Sequence, residues 1–208
     1  MIDMIKIKVP ATTANLGPGF DTLGMALDFY NHLEVRESKA GLKIEVEGCG
    51  KNDLPTDESN LVYRAMEQVF TEVGYSPAGL QIKLQNRIPL ARGLGSSAAA
   101  IVGGMAAANN LAGNQLSTPE LLNLAINLED HPDNITPALV GGLVVSTLQE
   151  EEVLYKKIAV PTVKAVVCIP DYEVSTADAR EVLPEQVSQN DAVFNVSHTG
   201  LLLTGFLT

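Results

Sequence analysis

The stretch that most constrains this chain is Pro89-Leu-Ala-Arg-Gly93-Leu-Gly95-Ser-Ser-Ala98-Ala-Ala100, a glycine-serine turn running into a long segment of alanines and other apolar residues. Gly93 and Gly95 have no Cβ to shield the backbone, so a turn built on them exposes its N–H groups. The first N–H groups of the helix that follows have no acceptor within the helix, and the helix dipole adds partial positive charge there. Such an end binds anions, phosphate above all. Ser96 and Ser97 supply hydroxyls that can bond a phosphate or reach a metal ion. The expectation is that Pro89, Leu90, Ala91, Arg92, Gly93, Leu94, Gly95, Ser96, Ser97, Ala98 and Ala99 wrap a nucleotide's phosphates. A Walker A loop is excluded, because no lysine lies between Gly93 and Ala100. Gly93, Gly95 and Ala98 formally satisfy a dinucleotide G-x-G-x-x-G/A pattern. That pattern should directly follow a strand and precede an acid about 20 residues on, and here Glu120 begins a helix instead. A plain glycine turn packed for close contact is the remaining alternative.

A chain of 208 residues suits one large or two small domains with a real core. Its 46% hydrophobic and 19% charged residues are those of a globular protein. A formal net charge of −11 argues against nonspecific nucleic-acid binding, which needs cations to neutralise phosphates. An acidic chain that handles phosphate must do so locally, with backbone dipoles, a few Arg or Lys and a bound metal. Cys49 and Cys168 form no CxxC pair, so reduced thiols are expected. Neither a signal peptide nor a membrane-spanning run is visible, which points to the cytoplasm and to no membrane partner.

Ile5, Ile7 and Val9 alternate as a half-buried strand closed by Pro10. A second loop, Ala11–Asp21, is dense in Gly, Pro, Thr and Asn and is longer than a plain connection needs, so it reads as a binding loop. Leu27–Glu37 and Leu42–Glu47 read as strands that pair through a turn at Ser38–Gly41. Asp57–Asn60 starts a helix that ends at Gly74. Leu80–Leu84 is the strand feeding the phosphate turn, and Ser97–Leu111 the helix leaving it. Ser117-Thr-Pro-Glu120 opens another helix, reaching Glu129 and a third polar loop, Glu129–Asn134. Leu143–Leu148, Leu154–Ile158 and Ala165–Ile169 read as strands, the last one buried. Thr176–Val182 and Ala192–Leu203 read as helices. Strands and helices mix without strict alternation, so the class is α+β. A boundary near residue 155 divides 1–155 from a smaller part, 156–208.

Phosphoryl transfer is positioning plus charge neutralisation, so it needs a phosphate cradle, a cation and an acceptor pocket. Mg²⁺ takes one or two protein oxygens besides phosphates and waters. Ser97 at a helix start and Glu129 at a helix end are the candidates; the alternative for Glu129 is a solvated acid. His131, presented ahead of Pro132 and Asp133, is either a substrate contact or a satisfied structural histidine. His32 and His198 read as structural. Arg180 suits bidentate binding of a carboxylate or phosphate, or else pairs with a surface acid.

Pro89-x-x-x-Gly93-Leu-Gly95-Ser-Ser-Ala98 resembles the phosphate loop of the GHMP kinases, which act on galactose, homoserine, mevalonate and phosphomevalonate. Val9-Pro-Ala-Thr-Thr-Ala-Asn15-Leu-Gly-Pro-Gly-Phe-Asp21, His131-Pro-Asp-Asn134 and Ser175-Thr176-x-x-Ala-Arg180-x-x-Leu-Pro184 are similar to that family's homoserine-phosphorylating branch. The likeness runs along essentially the whole chain. It implies a two-domain GHMP kinase-like fold: an N-terminal domain of the ribosomal protein S5 domain 2 type carrying the ATP site, and the beginning of a ferredoxin-like domain. It also implies ATP-dependent phosphorylation of the side-chain hydroxyl of L-homoserine to O-phospho-L-homoserine, a step of threonine biosynthesis. By this resemblance Asn15, Asp21, His131, Asn134, Thr176 and Arg180 surround homoserine, with catalytic roles for Asn134, Arg180 and Asp21. Asn60 would lie near the adenine, and Ser97 with Glu129 would hold Mg²⁺. Relatives such as mevalonate kinase place an aspartate base where Asn134 stands, so no dedicated carboxylate base is implied here.

Two departures set further expectations. Asp130 stands where similar sequences often carry glycine, and adds negative charge beside Glu129. Family members also run past residue 208, so this chain is expected to hold an incomplete second domain and to turn over weakly or not at all. Its apolar last helix is then exposed or covered by another chain, a homodimer being one such arrangement. Another GHMP small-molecule kinase, or a nucleotide-binding fragment without turnover, are the competing readings.

Overall fold

The computed structural model describes residues 4–169 and 176–207, the side chains of 176–178 excepted. Its frame is a six-stranded sheet on which four helices pack. β1 (Ile5–Ala14) runs antiparallel to β2 (Leu23–Glu37), the longest strand at 15 residues. With its other edge β2 pairs β4 (Gly79–Asn86) at the C-terminal end and β5 (Leu143–Gln149) at the N-terminal end, both antiparallel. β3 (Gly41–Gly48) flanks β4 in parallel, and β6 (Glu152–Ile158) flanks β5. β6 runs through position 155, so the sheet extends to Ile158.

The expected pairing of β2 with β3 through Ser38–Gly41 does not form, because β4 lies between them. The reason lies in α1 (Leu61–Glu72), whose buried stripe of Val62, Ala65, Met66, Val69 and Phe70 belongs to one core with Ile44 and Val46 of β3 and Leu80, Ile82 and Leu84 of β4. A helix joining two strands returns the chain parallel to the first, and β4 so placed joins β3 to β2. A local hairpin would leave that apolar stripe uncovered.

α2 (Ser96–Leu111) is buried on nearly every face, as its Ala- and Gly-rich sequence allows. A Cβ at Gly104 would collide with the carbonyl oxygen of Val62, so small residues set the closeness of α1 and α2. α3 (Thr118–Ile126) begins at Ser117, whose N–H donates to the Glu120 carboxylate at 2.8 Å. The segment Pro132–Asn134, expected as part of a loop, is instead the first turn of α4 (Pro132–Val140). Proline is accommodated at a helix's first position because the N–H it lacks has no helical acceptor there.

The strand expected at Ala165–Ile169 does not form. Residues 161–169 are irregular and exposed, Val166 at 92%, so that run of apolar residues has no sheet partner. Two helices follow, α5 (Thr176–Glu181) and α6 (Gln189–Leu207). No residue of α6 is buried, which agrees with the expected exposure of the last helix. It touches the body where the Thr199 hydroxyl donates to the Pro18 carbonyl at 2.9 Å.

Candidate active site

The glycine-serine turn, expected to hold phosphates, is held open by its backbone. Ala91, Gly93 and Gly95 adopt positive φ of 51°, 66° and 65°, and Gly95 is the N-cap of α2. The first internal bond of α2 runs from the Ala99 N–H to the Gly95 carbonyl at 2.9 Å. The N–H groups of Ser96, Ser97 and Ala98 therefore have no acceptor among the described residues. Gly95 is required twice over, by its left-handed φ and because a Cβ would collide with the Thr12 hydroxyl. Leu94 is buried and its carbonyl accepts from the Thr12 N–H at 3.1 Å, tying the turn to β1.

Beside this turn lies a cavity of about 350 Å³, lined among others by Leu54, Pro55, Asn60, Leu90, Ala91 and Ser97. Its walls are mostly apolar, as a planar heterocycle requires. Asn60 is there, but its amide is already engaged: Oδ1 accepts from the Val62 N–H at 3.0 Å and Nδ2 donates to the Pro55 carbonyl at 2.7 Å. It caps α1 and shapes the cavity wall. His32 also lines this cavity. Ser97, at the edge of this cavity, donates its hydroxyl to Glu129 Oε2 at 3.0 Å. Among the described residues no group of three or more His, Cys, Asp or Glu side chains is placed to hold a metal. A cation here would have two protein oxygens, from a hydroxyl and a carboxylate.

Charged side chains from three segments meet around Asp21. The loop after β1 carries three non-glycine residues of positive φ, Asn15 (67°), Leu16 (48°) and Asp21 (52°). Asn15 Oδ1 accepts from the Asp21 N–H at 2.9 Å and so stabilises that backbone. Asp21 receives a bidentate grip from Arg180, Nη2 to Oδ1 at 2.6 Å and Nη1 to Oδ2 at 3.2 Å. The guanidinium also stands 5.4 Å from the centroid of the Phe20 ring. His131, the N-cap of α4, brings Nε2 to 3.9 Å from Asp21 Oδ2. Thr176 lies in α5, but its side chain is outside the described residues.

Two residues that sequence reasoning left without a role complete the site. Asp133 is only 3% exposed, and burial followed by the nearby Asp21 carboxylate pushes its carboxyl above the ordinary range, with His131 and Arg180 opposing. Thr12, fully buried, donates its hydroxyl to Asn134 Oδ1 at 2.7 Å. A hint was present in each case: an acid between His131 and Asn134, and a threonine pair at the end of an alternating strand.

An open row of amides, a small apolar cavity, an oxygen pair and a charged cluster together suit transfer of a phosphoryl group to a small polar acceptor. Comparisons with known proteins agree with this geometry. Residues 60–142 match the family described as GHMP kinases N terminal domain. The homoserine kinase of Carboxydothermus hydrogenoformans is 50% identical over 203 residues, 98% of this chain and 67% of that protein. That of Petrotoga mobilis is 52% identical over 206 residues, again covering 67% of the relative. The crystal structure of homoserine kinase from Cytophaga hutchinsonii superposes with a TM-score of 0.85 at 35% identity, covering 100% of this chain and 68% of that one. The Methanococcus jannaschii mevalonate kinase, at 18% identity and a TM-score of 0.59, shares the fold. The chain thus spans about two-thirds of the length of the relatives it matches. It belongs to the homoserine kinases of the GHMP kinase family.

Proposed function

We propose that this chain binds ATP and L-homoserine and transfers the γ-phosphoryl group to the side-chain hydroxyl, giving O-phospho-L-homoserine for threonine synthesis. The adenine occupies the cavity beside Asn60. The phosphates lie on the turn from Pro89 to Ala99, against the free N–H groups of Ser96, Ser97 and Ala98. The nucleotide unit is the segment up to about residue 155, and the segment from 156 onward brings Thr176 and Arg180 to the acceptor.

The observation that carries the acceptor assignment is the bidentate pairing of Asp21 with Arg180. A free amino acid is a zwitterion: its ammonium can replace Arg180 on Asp21, and its carboxylate can replace Asp21 on Arg180. A neutral sugar could do neither. Asn15 holds the Asp21 backbone, and His131 and Thr176 bound the same pocket. Asn134 faces the hydroxyl. That hydroxyl oxygen forms a bond to the γ-phosphorus, the bond from phosphorus to the oxygen retained by ADP breaks, and the hydroxyl proton passes to the transferred phosphoryl group. No side chain at position 134 can act as a carboxylate base.

Ser97 and Glu129 fit Mg²⁺: their oxygens lie 3.0 Å apart, and neighbouring ligands of an octahedral Mg²⁺ at about 2.1 Å are about 3 Å apart. When bound, Mg²⁺ neutralises charge on the phosphates and aligns them for in-line displacement. The site belongs to a protein acting in the cytoplasm; among the described residues no helix is long and apolar enough to cross a membrane.

ADP release with homoserine, mevalonate and galactose as acceptors tests the proposal. Turnover, weak as expected from the sequence, should occur with homoserine alone. Comparable kcat/KM with mevalonate or galactose overturns the acceptor assignment. Binding of an ATP analogue without transfer to any acceptor leaves only the nucleotide-binding reading standing.

A further inference from the structure

β1 changes face part-way along its length. Val9 and Ala11 are buried on the alternation that begins with Ile5 and Ile7, whereas Lys6 and Lys8 are exposed. The pairing with β2 then slips: Pro10 lies opposite Tyr30, but Thr12 lies opposite Ala26. Between these pairs β2 carries three residues, Leu27, Asp28 and Phe29, against the single Ala11 of β1, and at this irregularity the alternation of β1 breaks: Thr12, adjacent to the buried Ala11, is also fully buried. On an unbroken alternation along β1, Thr12 would share the exposed face of Lys6 and Lys8.

The inward turn gives Thr12 two attachments from one residue. Its N–H donates to the carbonyl of Leu94 in the phosphate turn, and its hydroxyl donates to Asn134 Oδ1 in the first turn of α4. Gly95 is moulded against both groups, since a Cβ built there would meet Thr12 Oγ1 and lie 3.2 Å from Asn134 Oδ1. A hydroxyl can donate or accept, so the way the Asn134 amide is turned is set by its two neighbours together: Nδ2 faces the Asp133 carboxylate, which only accepts when ionised, and Oδ1 takes the Thr12 hydroxyl hydrogen at 2.7 Å. Oδ1 is held toward β1, and Nδ2 lies on the Asp133 side, 3.5 Å from Asp133 Oδ1. Asp133 in turn lies within electrostatic reach of Asp21, His131 and Arg180, the charged cluster of the site.

We infer that Thr12 is a positioning residue that locks the Asn134 amide with its N–H₂ toward the acceptor and couples this orientation to the phosphate turn. The inference rests on the proposed function for the role of Asn134. Asn134 then serves as a hydrogen-bond donor to the reacting oxygens. With Oδ1 turned away from the acceptor and occupied by Thr12, it does not receive the hydroxyl proton.

The test is a double-variant cycle on the full chain, with T12V, T12S, N134A and T12V/N134A. Valine preserves the shape of threonine and removes only the hydroxyl. T12V is expected to lower kcat about 10-fold while KM for homoserine and the Kd of an ATP analogue stay within about 2-fold, the scale of one lost hydrogen bond. T12S should recover kcat to within about 3-fold of the unmodified chain. T12V/N134A should be no slower than N134A. An unchanged kcat in T12V, a T12S as slow as T12V, or effects that multiply in the double variant would each overturn the inference. Turnover of the unmodified chain on homoserine tests the underlying reading separately. Where that turnover is absent, the cycle is read in thermal unfolding: the Tm losses of T12V and N134A should be less than additive when combined, and additive losses overturn the coupling.

Discussion

The proposed donor and acceptor halves of this site are built from different materials. The glycine-serine turn is made of backbone: positive φ at Ala91, Gly93 and Gly95, three N–H groups without acceptors among the described residues, and a helix dipole behind them. Its supports are buried and apolar, with Leu94, Ala98 and Ala99 all in the core. The acceptor cluster is made of side chains: Asp21 from the loop after β1, His131 from the start of α4, and Arg180 from a short helix 159 residues away from Asp21 in sequence. A polyanion common to many kinases can be met by amides, which every residue carries. A particular small acceptor must be recognised by charges set at particular points, and those come from wherever the chain can supply them.

Four variants press on this contrast. Gly95→Ala strikes the backbone-built half, where the methyl group must occupy a left-handed φ and the space of the Thr12 hydroxyl. Turnover should fall about 100-fold or more, with weakened ATP-analogue binding by calorimetry; ordinary activity would show that the turn is not held as described. Asp21→Ala strikes the other half. Losing a charge-assisted contact of about 2–3 kcal/mol should raise KM for homoserine about 30- to 100-fold, with the nucleotide Kd unchanged. A matching loss of nucleotide affinity would dissolve the distinction between the halves.

Glu129→Gln lies between them. It keeps the hydrogen bond to Ser97 but removes the charge, so the Mg²⁺ concentration for half-maximal rate should rise about 3- to 10-fold. No shift would remove Glu129 from the cation site.

The smallest effect concerns stability and Asp133. Burial and Asp21 raise its carboxyl above the ordinary value, so the folded chain holds this proton more tightly than the unfolded chain. Between the unfolded value and the raised folded one, stability therefore falls as pH rises, and above the folded value the full cost is present. Asp133→Asn carries no such cost. In denaturant unfolding it should gain on the unmodified chain from mildly acidic to neutral pH and lose that gain in acid. A gain that grows toward acid would reverse the assigned sign.

Two apolar helices show how far composition can be read. α2 and α6 are both rich in hydrophobic residues, yet α2 is buried along its length while none of α6 is. The alanines and glycines of α2 permit close approach from all sides, and that is visible in its residues. What covers the Val, Leu and Phe of α6 depends on neighbours that no residue of α6 names. Ala165–Ile169 failed as an expected strand for the same reason: an apolar run has the means to pair, but pairing needs a partner edge.

What the amino-acid order determined by itself was local: the glycine turn and the open amides of Ser96–Ala98, the caps at Asn60 and Ser117, the apolar stripe of α1, and the motif residues later found around the site. These follow from φ preferences, hydrogen-bond valence and periodicity over a few residues, which the chain carries wherever it goes. Tertiary structure alone decided that β4 would part β3 from β2, that Arg180 would close on Asp21, and that the break in alternation where β1 meets the irregular part of β2 would turn Thr12 toward Asn134. Each of these depends on contacts between segments far apart in sequence, and such contacts are chosen by the packing of the whole core.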